Sequence, residues 1–449
     1  MRKNDQIELD IVDVTTEGSG VGRADGLAVF VPMTAVGDRV RVKILKVKKS
    51  YAYGKAEEIL VSSSDRTENT CPVFCRCGGC VYRHIRYEAE CALKEKQVYE
   101  VMKRIGGVNL APRPILPSER VDRSRNKAQY PVAPGGAVGF YAFHSHRIIP
   151  CGDCMLQPAV FHEITAVFMA WAAEYAVSVY DEQRHRGLLR HLYIRYGEQT
   201  GEILVCVVVN GETLPFADSL IERLRVTLGD ALQSVQININ REQTNVILGK
   251  ECKVLYGRSY IYDVLCGVRV RLSPLSFYQV NRMAAERLYE KAKEYAAPAG
   301  KTVLDLYCGA GTIGLSMAGE AEKIIGVEIV PEAVEDARFN AQQNQIQNAE
   351  FFCGDAAEAA QHLAERGVQA DVIIVDPPRK GLTCALIDTI ADVFSPERVV
   401  YVSCDPATLA RDVKWFSEKG YILREYTPVD LFPRTSHVET VVLMSRVDR

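Results

Sequence analysis

The chain is 449 residues long, 47% hydrophobic and 25% charged, with a formal net charge of −3. This is the make-up of a soluble globular protein with room for roughly two to four domains, and it provides no global charge with which to hold a polyanion. The opening residues are polar and no run approaches the roughly 18 apolar residues of a membrane span, so a cytoplasmic protein is expected, and its 14 cysteines are expected as free thiols open to a metal or to chemistry.

Residues 1–62 alternate apolar and polar side chains in short runs broken by turns such as Glu17-Gly18-Ser19-Gly20-Val21-Gly22, which predicts a small β-barrel of the OB kind. One run, Arg39 to Lys49, carries basic residues and no acid, and Tyr51 and Tyr53 follow it between Lys49 and Lys55. Cations beside aromatic rings suit an unpaired nucleic-acid strand, and they equally suit an edge strand protected by lysines. Residues 62–67 read as a linker. Next come Cys71, Cys75, Cys77 and Cys80, with Gly78 and Gly79 among them. That density of thiols is a metal-site signal that zinc and an iron–sulfur cluster satisfy equally, and Cys75, Cys151 and Cys154 are all open as the fourth ligand.

Tyr87 to Ile105 has helical spacing and is ended by Gly106-Gly107. Arg120, Arg123, Arg125 and Lys127 form a second basic group ahead of a hairpin-like stretch, 131–149. From Ala159 to about Val270 helix and strand patterns mix without chemistry, and Arg184, Arg186, Arg190 and Arg195 are expected on an exposed charged face. A central α+β domain, 63–270, follows from this.

Beyond residue 270 strands and helices alternate, as in a doubly wound, Rossmann-like α/β domain over 271–449. Val303 to Gly314 is a strand, a glycine turn and a helix start, and Gly309-x-Gly311-x-x-Gly314 matches the dinucleotide fingerprint, so NAD is one reading. Asp305 before the loop, Glu328 after the next strand and Asp355 after the third favour S-adenosyl-L-methionine, a cofactor without phosphates. Asp376-Pro377-Pro378-Arg379 and Ser403-Cys404-Asp405-Pro406 each follow an apolar run, which brings an acid and a thiol to the strands' C-terminal edge. A thiol there is either a small core residue or a nucleophile.

Several of these motifs together resemble the RNA uracil-C5-methyltransferase family, and most closely its bacterial ribosomal-RNA branch, the RumA-like enzymes. The motifs are Cys71-x5-Cys77-Gly78-Gly79-Cys80, Arg125-Asn126-Lys127, Ser273-Pro274-x-Ser276-Phe277-Tyr278-Gln279-Val280-Asn281, Asp305-Leu306-Tyr307-Cys308-Gly309-Ala310-Gly311-Thr312, Asp376-Pro377-Pro378-Arg379-x-Gly381, Ser403-Cys404-Asp405-Pro406 and His437-Val438-Glu439. The resemblance implies a TRAM-like barrel, Cys404 as nucleophile and Glu439 as base. It implies that Gln279, Tyr307, Glu328 and Asp376 line the S-adenosyl-L-methionine pocket. It also implies a [4Fe-4S] cluster on Cys71, Cys77, Cys80 and a later cysteine, Cys154 rather than Cys151 because Gln157-Pro158 follows it. The expectation is a monomeric 23S ribosomal-RNA uridine-C5 methyltransferase. Transfer RNA as substrate, cytosine C5 as target, and a non-catalytic RNA-binding module are the alternatives.

Overall fold

The computed structural model describes residues 1–446. Six strands from Gln6 to Val61 form one sheet around Leu9, Val29, Val31, Val40, Val42, Ile44 and Ala52. Strand Arg39–Val47 shows why: Val40, Val42 and Ile44 are buried, while Arg39, Arg41 and Lys43 alternate outward. Residues 62–67, expected as a linker, are fastened to this sheet instead. The buried Asp38 carboxylate accepts from the Arg66 guanidinium at 2.7 Å and 2.9 Å and from the Ser63 N–H at 2.9 Å. Serine-rich composition hid an anchor whose partner lies in the preceding sheet.

Helix Tyr87–Gly106 ends where Gly107 turns left-handed at φ 67° and returns its N–H to Met102. Its Val98 and Met102 pack with Leu409, Ala410 and Val413 of helix Pro406–Glu418. On the same helix Lys94, wholly buried, bonds Glu90 at 2.8 Å, Asp430 at 2.7 Å and the Phe432 carbonyl at 3.1 Å. Tyr87 adds a 2.6 Å bond to Asp430. A buried lysine with two carboxylates is costly unless every partner is present, so this helix is tied to the segment that leads into Glu439.

The central part holds a five-stranded sheet in the order Glu251–Gly257, Leu232–Ile239, Ile203–Val209, Leu189–Tyr196, Lys127–Pro131. Helices Val160–Glu174 and Ala217–Leu228 pack against it through Phe161, Ile164, Phe168, Trp171, Leu220 and Leu224. Arg190 and Arg195 are buried in it rather than on an exposed face, because nearly every residue of Leu189–Tyr196 is enclosed.

The third sheet has seven strands in the order Ala349–Cys353, Lys323–Glu328, Thr302–Leu306, Val372–Val375, Arg398–Ser403, Glu439–Arg446, Tyr421–Val429. The first five run parallel and the last two antiparallel to their neighbours. Chain order reverses between Thr302–Leu306 and Val372–Val375, and a crevice opens at such a switch point, above the strands' carboxyl ends. Among the described residues no helix is long and apolar enough to cross a membrane.

Candidate active site

Strand Arg398–Ser403 is buried along its length and delivers Cys404, half-buried, to the carboxyl edge of the sheet. Asp405 then caps helix Pro406–Glu418, its side chain accepting from Ala407 N at 2.9 Å and Thr408 N at 3.0 Å. The thiol is thus fixed at a strand-to-helix junction. Its neighbour comes from the antiparallel strand: Ser403 pairs with Thr440, so Glu439, one residue before Thr440, stands beside Cys404, one residue after Ser403. Glu439 is 5% exposed.

The electrostatics follow from that enclosure. Burial, with Asp376 adding to it and Arg379 opposing it, pushes the Glu439 carboxyl up to about 8. Burial also lifts Asp376 to about 7. The Cys404 thiol rises to about 11, through burial first and then the negative charges of Glu439 and Asp376, with Arg379 working the other way. Two carboxyls and a thiol therefore perturb one another's protonation, with the exposed Arg379 as the cation that acts on Cys404 and Glu439, and Arg379 is the member that sequence reading gave no role. Its signal was its place at the end of a turn stiffened by Pro377 and Pro378.

The glycine turn lies on the other side of the switch point. Tyr307, Gly309 and Gly311 all have positive φ, at 67°, 56° and 79°, which folds the chain sharply back from strand Thr302–Leu306. For a tyrosine that conformation costs about 1 kcal/mol or more and is typical of a functional turn. Glu328 accepts from Gly309 N at 3.1 Å and Val330 N at 2.9 Å, so both its oxygens are oriented at the rim of this turn. Asp355 is exposed, and it caps helix Ala356–Glu365 through Ala357 N at 2.9 Å. Asp305 is fully buried. One oxygen accepts from Gly314 N at 2.9 Å and the other has no partner, while burial, Asp376 and Glu328 lift its carboxyl to about 7. A side chain at Gly314 would stand 2.8 Å from Ile324, so glycine is required for this close approach.

Gln279 is buried in the loop 273–281, and that loop is held from the central sheet. Asn126 donates from its side chain to the Gln279 carbonyl at 2.9 Å and from its backbone to the Val280 carbonyl at 2.7 Å. Arg195 donates to the Ser273 and Ser276 carbonyls at 3.0 Å and 2.8 Å. Asn126 and Arg195 are thus supports that sequence reading left without a role.

Cys71, Cys77, Cys80, Cys151 and Cys154 line one small cavity of about 70 Å³, together with Arg83 and Arg125. Cys75 is exposed and does not line it. Burial lifts Cys80 to about 11, whereas a hydrogen bond from Cys151 brings Cys154 down to about 7. Sulfur donors in an apolar cavity are the chemistry a soft metal centre takes. Among the described residues no group of three or more histidine, cysteine or carboxylate side chains is arranged to hold a metal ion. Five thiols converge on this one cavity.

On the N-terminal sheet Phe30, Tyr51 and Tyr53 cluster with ring centres 5.5–5.8 Å apart. Lys43 and Lys55 stand opposite each other on neighbouring strands and Lys46 opposite Tyr53, a basic and aromatic surface.

Residues 220–447 match the family model described as tRNA (Uracil-5-)-methyltransferase, and residues 2–56 match that of the TRAM domain. An uncharacterized RNA methyltransferase of Halalkalibacterium halodurans is 44% identical over 99% of this chain and 98% of its own length. One from Clostridium tetani is 40% identical over 99% and 97%. Among solved structures, the Pyrococcus abyssi tRNA (uracil-54, C5)-methyltransferase, determined with S-adenosyl-L-homocysteine, superposes with a TM-score of 0.79 at 27% identity, covering 98% of this chain and 100% of its own. With a TRAM domain ahead of an S-adenosylmethionine-dependent methyltransferase fold, this chain belongs to the RNA (uracil-5-)-methyltransferase family of enzymes.

Proposed function

We propose that this enzyme methylates C5 of a uridine through a covalent adduct on Cys404, and the observation that carries the reading is the pairing of Cys404 with Glu439 across adjacent strand ends. Uracil C5 is a weak nucleophile until C6 is attacked, and a thiolate is suited to that conjugate addition. As the Cys404 Sγ–C6 bond forms, the electrons of the C5–C6 double bond move toward C5 and O4. S-adenosyl-L-methionine, when bound, would supply the methyl group that C5 takes, the C5–CH3 bond forming as the sulfonium S–CH3 bond breaks and S-adenosyl-L-homocysteine leaves. Glu439 then takes the C5 proton, the double bond re-forms, and the Sγ–C6 bond breaks to restore Cys404. Arg379 favours the charged forms of both Cys404 and Glu439, and is the group that opposes their burial.

Gln279, Tyr307, Glu328, Asp355 and Asp376 form the cofactor pocket in this reading. Asp305 joins them, since its unpartnered oxygen is an acceptor for the cofactor's ammonium group. Cys71, Cys77, Cys80 and Cys154 would hold a [4Fe-4S] cluster, with Cys151 as a fifth thiol at the same cavity. The barrel, the thiol-bearing central part and the methyltransferase part divide at residues 62 and 270.

For the substrate we favour 23S ribosomal RNA, on the motif pattern of the ribosomal-RNA branch. Transfer RNA is the second reading, because the archaeal protein named for transfer-RNA uracil-54 is matched over its whole length, N-terminal domain included. Either target base must leave its stack to reach Cys404. Two measurements test the proposal. RNA carrying 5-fluorouridine should give a denaturation-resistant complex with the wild-type chain and none with Cys404→Ala, which should still bind RNA. Nucleoside mass spectrometry of ribosomal and transfer RNA from cells with and without the gene should then show loss of 5-methyluridine from 23S RNA. Loss from transfer RNA alone would reassign the substrate, and absence of the covalent complex would sink the mechanism.

A further inference from the structure

The residues between the thiol cavity and the reaction centre carry more positive charge than anything around them balances. Lys127 opens strand Lys127–Pro131 directly opposite Arg195. The Arg195 guanidinium is spent on the Ser273 and Ser276 carbonyls, so Lys127 faces a cation across the ladder. Arg125, two residues earlier and just ahead of the strand, adds another. Enclosure first, then Arg195 and Arg125, lowers the Lys127 ammonium to about 8. Among the described residues neither Lys127 nor Arg125, both half-buried, forms an ion pair, whereas the more deeply buried Arg83 bonds Asp122 at 2.7 Å and Arg195 two carbonyls.

The position of this charge is informative. Asn126, between Arg125 and Lys127, bonds the Gln279 and Val280 carbonyls at 2.9 Å and 2.7 Å, so this segment adjoins the loop whose Gln279 belongs to the cofactor pocket in the reading above. Arg125 and Lys127 therefore flank the residue that ties the central sheet to the loop 273–281. Arg125 lines the same cavity as Cys80 and Cys154. No thiol acts on Lys127. Half-buried cations among like charges are costly until an anion arrives.

We propose that Lys127, assisted by Arg125, binds a backbone phosphate of the RNA next to the nucleotide whose base reaches Cys404. This rests on the RNA-uridine reading above. Phosphate contacts of this kind fix register without reading sequence, which is what a flipped nucleotide needs on its backbone side while its base is held at the sheet edge.

The test is the salt dependence of binding by the full-length chain to a uridine-containing RNA stem-loop, with Lys127→Met and Lys127→Arg beside the wild type. Each phosphate contact contributes roughly one to the slope of log affinity against log salt. Lys127→Met should lose about one from that slope and bind about tenfold more weakly near 0.1 M salt, and Lys127→Arg should keep the wild-type slope. A Lys127→Met slope equal to the wild type overturns the proposal whatever its affinity, because a structural defect weakens binding without changing the number of phosphates neutralised. The 5-fluorouridine complex of the wild-type chain reads the covalent mechanism separately, so a failure there and a failure here are told apart.

Discussion

At the scale of single residues, Glu439 carries the sharpest consequence. Its carboxyl titrates at about 8 in the folded chain against an ordinary 4.5, so in the free enzyme at pH 7 it is mostly protonated. A base must be ionised, and the adduct-resolving step should therefore speed up as pH rises through about 8 and level off above it. The stability linkage has the opposite sign. A carboxyl whose folded pKa is raised costs nothing below about pH 4.5, and destabilises progressively as pH climbs from there to about 8. Glu439→Gln removes that cost. It should melt about 1–3 °C above the wild type at pH 8 and at the same temperature near pH 4.5, while accumulating the covalent RNA complex because C5 deprotonation fails. Calorimetry at the two pH values, with gel analysis of the complex, checks both halves. An equal melting shift at both pH values would mean that the carboxyl is not enclosed as described.

At the scale of elements, the loop 273–281 is positioned from outside its own domain. Asn126 supplies two of the bonds that hold Gln279 and Val280, and a buried carbonyl left without its donor costs about 1–3 kcal/mol. Asn126→Ala should therefore weaken S-adenosyl-L-methionine binding by about five- to a hundredfold while the fold persists, read by titration calorimetry. Unchanged cofactor affinity would detach Gln279 from the pocket. These supports also mark where the sequence stops being legible. Cys404 and the glycine turn sit at the ends of apolar runs, where strand periodicity places them, whereas the roles of Cys404 and Glu439 come only from the family resemblance. Arg195 lies in a strand enclosed on both faces, where alternation vanishes and an arginine reads as surface charge. The partner of Arg66, Asp38, and the second carboxylate of Lys94, Asp430, lie far away in sequence, and no local pattern announces them.

At the scale of the whole molecule, the open question of the thiol cavity is one of stoichiometry. A cluster on four cysteines would give about four irons per chain, and a tetrahedral site one zinc. Elemental analysis of anaerobically purified protein should find iron, Cys77→Ala should lose it, and Cys154→Ala should lose more than Cys151→Ala. Zinc alone would replace the cluster, and metal retained in every variant would move the site elsewhere. The same view of the molecule gives a meaning to the antiparallel strand. Cys404 and Glu439 are separated along the chain by helix Pro406–Glu418, strand Tyr421–Val429 and the segment pinned by Lys94, yet their spacing is set only by the ladder in which Ser403 meets Thr440. The intervening connection can grow or shrink in related chains without disturbing the reaction. Removing a single residue inside either strand turns the carboxylate to the opposite side of the sheet. Backbone hydrogen bonds act here as a gauge block between nucleophile and base, and insertions among relatives should gather at the turn 419–420 while sparing strands Arg398–Ser403, Tyr421–Val429 and Glu439–Arg446.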